Sequence, residues 1–389
     1  MKMWKNYVSG SADSVENYLE TYGRFSFDGY PFNEVDSLLL CQLAYLRYDG
    51  LVSGIKENGW SVTLEELKRD PRRERLFRDI LFAEENRALF TRMADSRRFR
   101  QLKLNCFVNL IDQERETQFA AITFLLEDGK VYVAFRGTDE TFVGWKEDFN
   151  MAFLYPVPGQ LYAAKYLNMA AEKFPGAFYV GGHSKGGNFA IYSAMYCAAT
   201  VRQRILKIYN MDGPGFRPEV LHSVRYKMIA DKIERYLPYY SVIGMLFSAD
   251  ERYRVVQARG VGLIQHNPSH WRVRGGRFVT TDHVRKNVRQ MDERLNEWIF
   301  AMDAGQRRRL VDNVYRIILA AQVKSLPAFV ADWRQNVRRI WVAFLETDAG
   351  TKKLLRQNAG VLLGVVRKID RMGAPVKSVW AGSSRSGCH

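Results

Sequence analysis

The sequence predicts an α/β fold: a sheet with flanking helices, a helical region before it and a helical extension after it. Three observations carry this expectation. Short runs of β-branched and aromatic residues cluster between residues 103 and 135 and recur at 178–180, 205–211 and 253–256. Helical periodicity separates the later runs, and strand, helix and strand in that order imply a right-handed parallel crossover. Outside this core the pattern is mostly helical, over residues 1–100 before it and residues 301–389 after it, which leaves residues 101–300 as the core.

The elements follow in order. Residues 35–46 carry one broad apolar face and predict a buried helix. Thr63-Leu64-Glu65-Glu66 has the form of a capping box, and the Arg-rich stretch 70–78 reads as an exposed loop or helix start. Residues 104–110, 118–126 and 131–135 read as three consecutive strands, the last two joined at the Asp128-Gly129 turn. A helix is expected from Gln160 to Lys173, ended by Pro175-Gly176. Then come a strand at 178–180, a helix from Gly187 to Thr200 and a strand at 205–211. Residues 213–250, rich in Phe, Leu, Tyr and Met with a break at Pro238, read as a cover or as scaffold helices between two strands. A strand at 253–256 and a Gly275-Gly276 hairpin follow. Helical faces then repeat through Val288, Met291, Leu295, Trp298 and Ile299, through Leu310, Val314, Ile317 and Ala321, and through Val337, Ile340, Trp341 and Phe344. Residues 382–389 read as disordered.

Composition narrows the classes. The 389 residues are 47% hydrophobic and 26% charged, enough for a substantial core in one or two domains. No apolar run approaches the roughly 20 residues of a spanning helix. The first residues lack the pattern of a secretory signal, and Cys41, Cys106, Cys197 and Cys388 are scattered. Free thiols and a cytoplasmic location are therefore expected. No cysteine pair has metal-binding spacing, and no metal or cofactor is implied. The net charge is +16, and residues 301–389 hold 16 Lys or Arg against 6 Asp or Glu. Such a face permits weak contact with an anionic membrane surface. Without zinc-finger spacing or an aromatic RNA-binding signature, no specific nucleic-acid partner is expected. The sequence leaves the oligomeric state open.

The chemistry centres on Gly182-His183-Ser184-Lys185-Gly186. A strand enters this Gly-x-Ser-x-Gly motif and a helix leaves it, as in the nucleophile elbow of an α/β-hydrolase-type sheet. The turn is so tight that side chains flanking the serine would collide across it, and Gly182, Gly186 and Gly187 meet that need. The elbow also points the Lys185 N–H at a developing oxyanion. A serine needs a base and an orienting acid. His266 follows a strand late in the chain, with His270 and His283 as alternatives. Asp212 ends the strand after the nucleophile helix, at the carboxyl edge of the sheet, with Asp250 and Asp282 as alternatives.

Two blocks together, Val133-Ala134-Phe135-Arg136-Gly137-Thr138 with Trp145 and Asp148, and Gly182 to Gly187, resemble the class 3 lipases. The closer resemblance is to an uncharacterised bacterial family of lipase-like α/β-hydrolases, which shows sequences like Tyr209 to Phe216 and Gln265 to Trp271. The resemblance spans roughly residues 30–300 and implies an esterase or lipase-like enzyme acting on a small-molecule or lipid ester. It also implies that Thr138 supplies an oxyanion-hole group through its N–H, with the hydroxyl left open as a second donor. The usual Asp-Pro-Val-like and His-Leu-Trp-like stretches of class 3 lipases are missing here. Lys185 replaces a common leucine; it reads either as a charge at the pocket mouth that favours an anionic substrate group, or as a solvated or salt-bridged side chain. The rival reading is a non-catalytic scaffold that binds a partner or an anionic surface through its basic helical end. On the hydrolase reading, activity is expected to persist when the chain is cut near Gly305.

Overall fold

The computed structural model describes residues 14–320 apart from 81, 140 and 248–251. The expected third helical segment, the disordered end and Asp250 lie outside the described residues.

Eleven strands are described: β1 (Val62–Thr63), β2 (Lys103–Asp112), β3 (Thr117–Leu125), β4 (Val131–Phe135), β5 (Phe178–His183), β6 (Ile205–Met211), β7 (Ile233–Pro238), β8 (Arg254–Val256), β9 (Val273–Arg274), β10 (Arg277–Phe278) and β11 (Thr280–Thr281). Nine form one sheet in the order β1-β2-β3-β4-β5-β6-β7-β8-β11, and β9 and β10 form the Gly-Gly hairpin. β1 to β4 are antiparallel, β4 to β8 are parallel, and β11 closes the edge antiparallel to β8. The described helices are α1 (Val15–Tyr22), α2 (Glu34–Leu43), α3 (Leu64–Arg69), α4 (Ala83–Asp95), α5 (Phe142–Asn150), α6 (Pro158–Lys173), α7 (Lys185–Tyr196), α8 (Ala199–Gln203), α9 (Pro218–Leu221), α10 (Val224–Lys227), α11 (Lys286–Ala301) and α12 (Ala304–Ala320).

The strand order explains why a helical N-terminal region is needed. β4 to β8 advance in one direction along the sheet, so right-handed crossovers put their connecting helices on one face. That face is the core of α6 and α7 against Val131, Val133, Phe135, Phe178, Val180 and Ile208. The alternate residues Tyr132, Ala134, Tyr209 and Met211 point the other way and would be bare. α2 covers them with Leu38, Leu39, Leu40 and Leu43, each at most 1% exposed. Each such leucine contributes roughly 1.5–3 kcal/mol by its burial. A capping box starts α2, with the Asn33 side chain on the Val35 and Asp36 N–H groups and the Asp36 side chain on the Asn33 N–H. Asp36 also meets Arg98 in a fully buried ion pair, and Arg98 donates to the Tyr30 carbonyl at 2.8 Å, so one guanidinium ties α2 to the loop before it.

Several expectations change. Residues 213–250 are not simply a cover: β7 runs through them as a central parallel strand. Its Glu234 and Arg235 interrupt the apolar run and hide it. Glu234 is matched across the sheet by Lys207 at 2.6 Å and Arg254 at 3.0 Å, while Tyr236 and Leu237 are buried. Pro238 fits because it stands last in the strand. Between β4 and α6, where the sequence pattern assigns no element, α5 forms, capped by the Thr141 side chain. α7 starts earlier than expected, at Lys185, and stops at Tyr196. α12 packs onto α5: Val311 is buried, and Lys146 forms an ion pair with Asp312 beneath the Tyr315 ring. A cut at Gly305 would remove this support from α5.

Candidate active site

Ser184 sits at the carboxyl end of β5 with φ 58° and ψ −135°, a positive-φ conformation that a non-glycine residue holds only under constraint. The constraint is visible in its neighbours. A Cβ on Gly182 would lie 2.2 Å from the Gly186 carbonyl, and one on Gly186 would lie 2.1 Å from the Phe135 oxygen. The Ser184 N–H donates to the Met211 carbonyl at 2.9 Å, which ties the elbow to β6.

β6 delivers Asp212 one residue past its end, also at positive φ, with its N–H on the Tyr236 carbonyl at 2.8 Å. The carboxylate is buried. Oδ2 is 2.6 Å from His266 Nδ1, and Oδ1 accepts from the Ser241 hydroxyl at 2.5 Å and the Gly244 N–H at 3.2 Å. His266 ends the 3₁₀ turn Gly262–His266. Among the described residues it is His266, and not His270 or His283, that meets Asp212; Asp282 is exposed. The loop holding Ser241 and Gly244 is fixed from α11, where Asn296 bonds the Phe247 N–H and the Met245 carbonyl. An imidazole held at Nδ1 by a carboxylate presents Nε2 as its proton acceptor.

The loop after β4, which carries Thr138, approaches the serine through Gly137. The adjoining Gly137 is so close that a Cβ there would lie 2.9 Å from the Ser184 Cβ. Arg136, buried, braces this loop through Asn109 at 2.8 Å and Asp139 at 3.2 Å, and its burial lowers the guanidinium to about 10. The Thr138 hydroxyl donates to Asp148 on α5. Burial raises the Asp148 carboxyl to about 6, against the opposing pull of Lys185 and the Thr138 hydroxyl.

Lys185 takes the salt-bridged one of its two readings. Its side chain is 1% exposed and does not face the pocket mouth. Nζ donates to Glu147 Oε2 at 2.9 Å, Gln118 Oε1 at 2.9 Å and the Gln118 carbonyl at 3.2 Å. Glu147 also accepts from the Gly159 N–H at 2.8 Å and the Gln118 N–H at 3.2 Å. A lysine leaving the elbow toward the helix-covered face finds that carboxylate before it finds water. Sequence reasoning did not find Glu147, Ser241 or Tyr45, because no local pattern marks them. Among the described residues no group of three or more His, Cys, Asp or Glu is placed to hold a metal, and no helix is long and apolar enough to cross a membrane.

A mixed sheet with an elbow serine at the end of a central parallel strand, beside an Asp–His pair, is an α/β-hydrolase-type arrangement. The chain belongs to the Mbeg1-like family, a lipase-like family whose sequence model matches residues 93–316. Among solved structures it is similar to the native Rhizomucor miehei lipase propeptide complex, at 15% identity over 53% of this chain and 67% of that one, with a TM-score of 0.31. It is also similar to a fungal lipase in complex with an inhibitor, at 17% identity over 51% and 81% of the two chains, with a TM-score of 0.32. No curated protein matches it.

Proposed function

We propose that the protein is a serine acyl hydrolase, an esterase or lipase-like enzyme that cleaves an ester through an acyl-enzyme. Ser184 attacks the carbonyl carbon while His266 Nε2 takes the hydroxyl proton. The tetrahedral oxyanion is held by the N–H groups of Thr138 and Lys185, each such donor being worth roughly 3 kcal/mol in the transition state. His266 then returns the proton to the leaving alcohol, and later takes one from the water that releases the acid. Asp212 fixes the ring and balances the imidazolium charge. The observation that carries this reading is the 2.6 Å contact between His266 Nδ1 and a buried Asp212, next to a serine at positive φ. On the two sequence blocks we assign it to the class 3 lipases and a bacterial family like them. The described cysteines, Cys41, Cys106 and Cys197, are buried free thiols, which supports a reducing cytoplasmic setting.

The test is covalent labelling with a fluorophosphonate. The wild-type chain is expected to label at one site, and Ser184→Ala to lose it. Equal labelling of the two would remove Ser184 from the mechanism. A folded wild-type chain that neither labels nor cleaves short esters would favour the scaffold reading.

A further inference from the structure

Behind the elbow runs a line of hydrogen bonds that the triad does not use. His183, the residue before the serine, is 5% exposed, and both of its ring nitrogens are engaged. Nε2 lies 2.8 Å from the His266 carbonyl oxygen, and Nδ1 lies 3.0 Å from the Tyr45 hydroxyl. A carbonyl only accepts, so Nε2 carries the hydrogen. In the neutral ring Nδ1 then accepts from the Tyr45 O–H. Burial first, then the neighbouring His266, hold His183 well below the usual histidine range, so the ring is neutral. On its other side the Tyr45 oxygen faces the Gly137 backbone N–H, and a Cβ on Gly137 would lie 2.2 Å from it. The line therefore runs from the oxyanion loop, through Tyr45 and His183, to the backbone of His266.

We propose that Tyr45 and His183 are positioning residues, a neutral relay that sets the His266 turn and the Arg136-Gly137-Thr138 loop at a fixed spacing across Ser184. This rests on the hydrolase reading above. His266 is then held at two points: its ring by Asp212 and its backbone by His183. Neutrality is part of the design. The two imidazoles lie 4.5 Å apart between centroids, and His266 must become a cation in each half-reaction. A charged His183 at that distance would oppose the proton transfer, whereas a neutral ring gives the same bonds without repulsion. Tyr45 follows α2, outside residues 93–316 matched by the family's sequence model. The N-terminal region thus reaches the reaction centre as well as covering the sheet.

The test compares the full-length wild type with Tyr45→Phe, His183→Gln and His183→Leu. Fluorophosphonate labelling rates and kcat and KM on p-nitrophenyl butyrate are measured, and histidine tautomers are read by nitrogen-15 NMR. Tyr45→Phe removes one hydroxyl and nothing else, so kcat is expected to fall about 10-fold with KM held. His183→Gln can still offer an N–H toward the His266 carbonyl and is expected to keep more rate than His183→Leu. The wild-type spectrum is expected to show His183 neutral with its hydrogen on Nε2. A wild type that labels, with Tyr45→Phe labelling equally fast, overturns the inference and leaves the hydrolase standing. So does a His183 that is cationic or carries its hydrogen on Nδ1 at neutral pH. A wild type that does not label overturns the hydrolase reading itself, and the positioning role with it.

Discussion

The residues on either side of Ser184 send their side chains to opposite faces of the sheet, and the two environments are built differently. Lys185 turns toward α5 and enters a network of buried ions with Asp148 close by: one hydrogen bond joins Lys185 to Glu147, and each makes two more to neighbouring groups. His183 turns toward the N-terminal region, and among the described residues its ring nitrogens meet neutral groups, the Tyr45 hydroxyl and the His266 carbonyl. Both side chains are buried, so polarity alone does not separate them. The difference lies in which side carries the histidine that must accept a proton. Opposite charges suit the face that holds Thr138, where nothing titrates during the proposed reaction. Uncharged donors and acceptors suit the face that holds His266, where a fixed cation would raise the barrier.

The sharpest way to break this contrast is to remove one buried ion. Lys185→Met leaves Glu147 buried with its charge unmatched and is expected to cost about 3–5 kcal/mol in urea unfolding. Adding Glu147→Gln to it should recover part of that loss; no recovery would mean that the pair does not act as a pair. Next in size is the chain cut at Gly305. It uncovers the apolar site of Val311 and leaves Lys146, 3% exposed, without Asp312. A loss of roughly 3 kcal/mol is expected, with slower labelling of Ser184. Unchanged melting and labelling would show that α12 does not support α5.

The pH dependence sharpens the comparison, because the two sides slope in opposite directions. Burial holds the Asp148 carboxyl above its unfolded value of 3.8, at about 6. Its contribution to stability is therefore full below the unfolded value and is lost as pH rises through about 6. Asp148→Asn should gain on the wild type between about pH 4 and about pH 7, by an amount reduced by the partial exposure of the side chain. Burial holds His183 below 6.5, so its contribution is present above that value and is lost on acidification. His183→Gln should accordingly fall behind the wild type most at neutral pH. Parallel slopes for the two variants in pH-resolved thermal melts would dissolve the distinction. The smallest effect is the exposed control within the same sheet. Lys207, 48% exposed beside Glu234, should cost no more than about 1 kcal/mol on mutation to alanine.

Much of this fold was legible because its strands are short β-branched and aromatic runs bounded by turn residues. β4 and β6 fall where those runs placed them, at Val131–Phe135 and Ile205–Met211. The Thr63 capping box is present as written in the sequence. β7 was missed because its two charges are satisfied by neighbouring strands, and that pairing is a property of the sheet with no trace in the local pattern. α5 was missed because its polar residues, Lys146, Glu147 and Asp148, read as solvated until their partners on β3, α7 and α12 are known. Chain order and strand ends nominated Asp212 and His266, and the structure brings them together. The contact of Tyr45 with His183 joins positions 138 residues apart, and neither residue type announces it.

The cover that α2 gives to the second face of the sheet also sets an order in time. α2 is made early, yet the residues it packs against, up to Met211, are made much later. At about 5–20 residues per second, the interval is on the order of 10 s or more. Until β5 and β6 arrive, Leu38, Leu39, Leu40 and Leu43 have only the β2 to β4 part of their sheet to rest on. The N-terminal helices of a growing chain are therefore the segment with most to gain from a chaperone. The last strands to emerge, rather than the first, decide when the reaction centre can close.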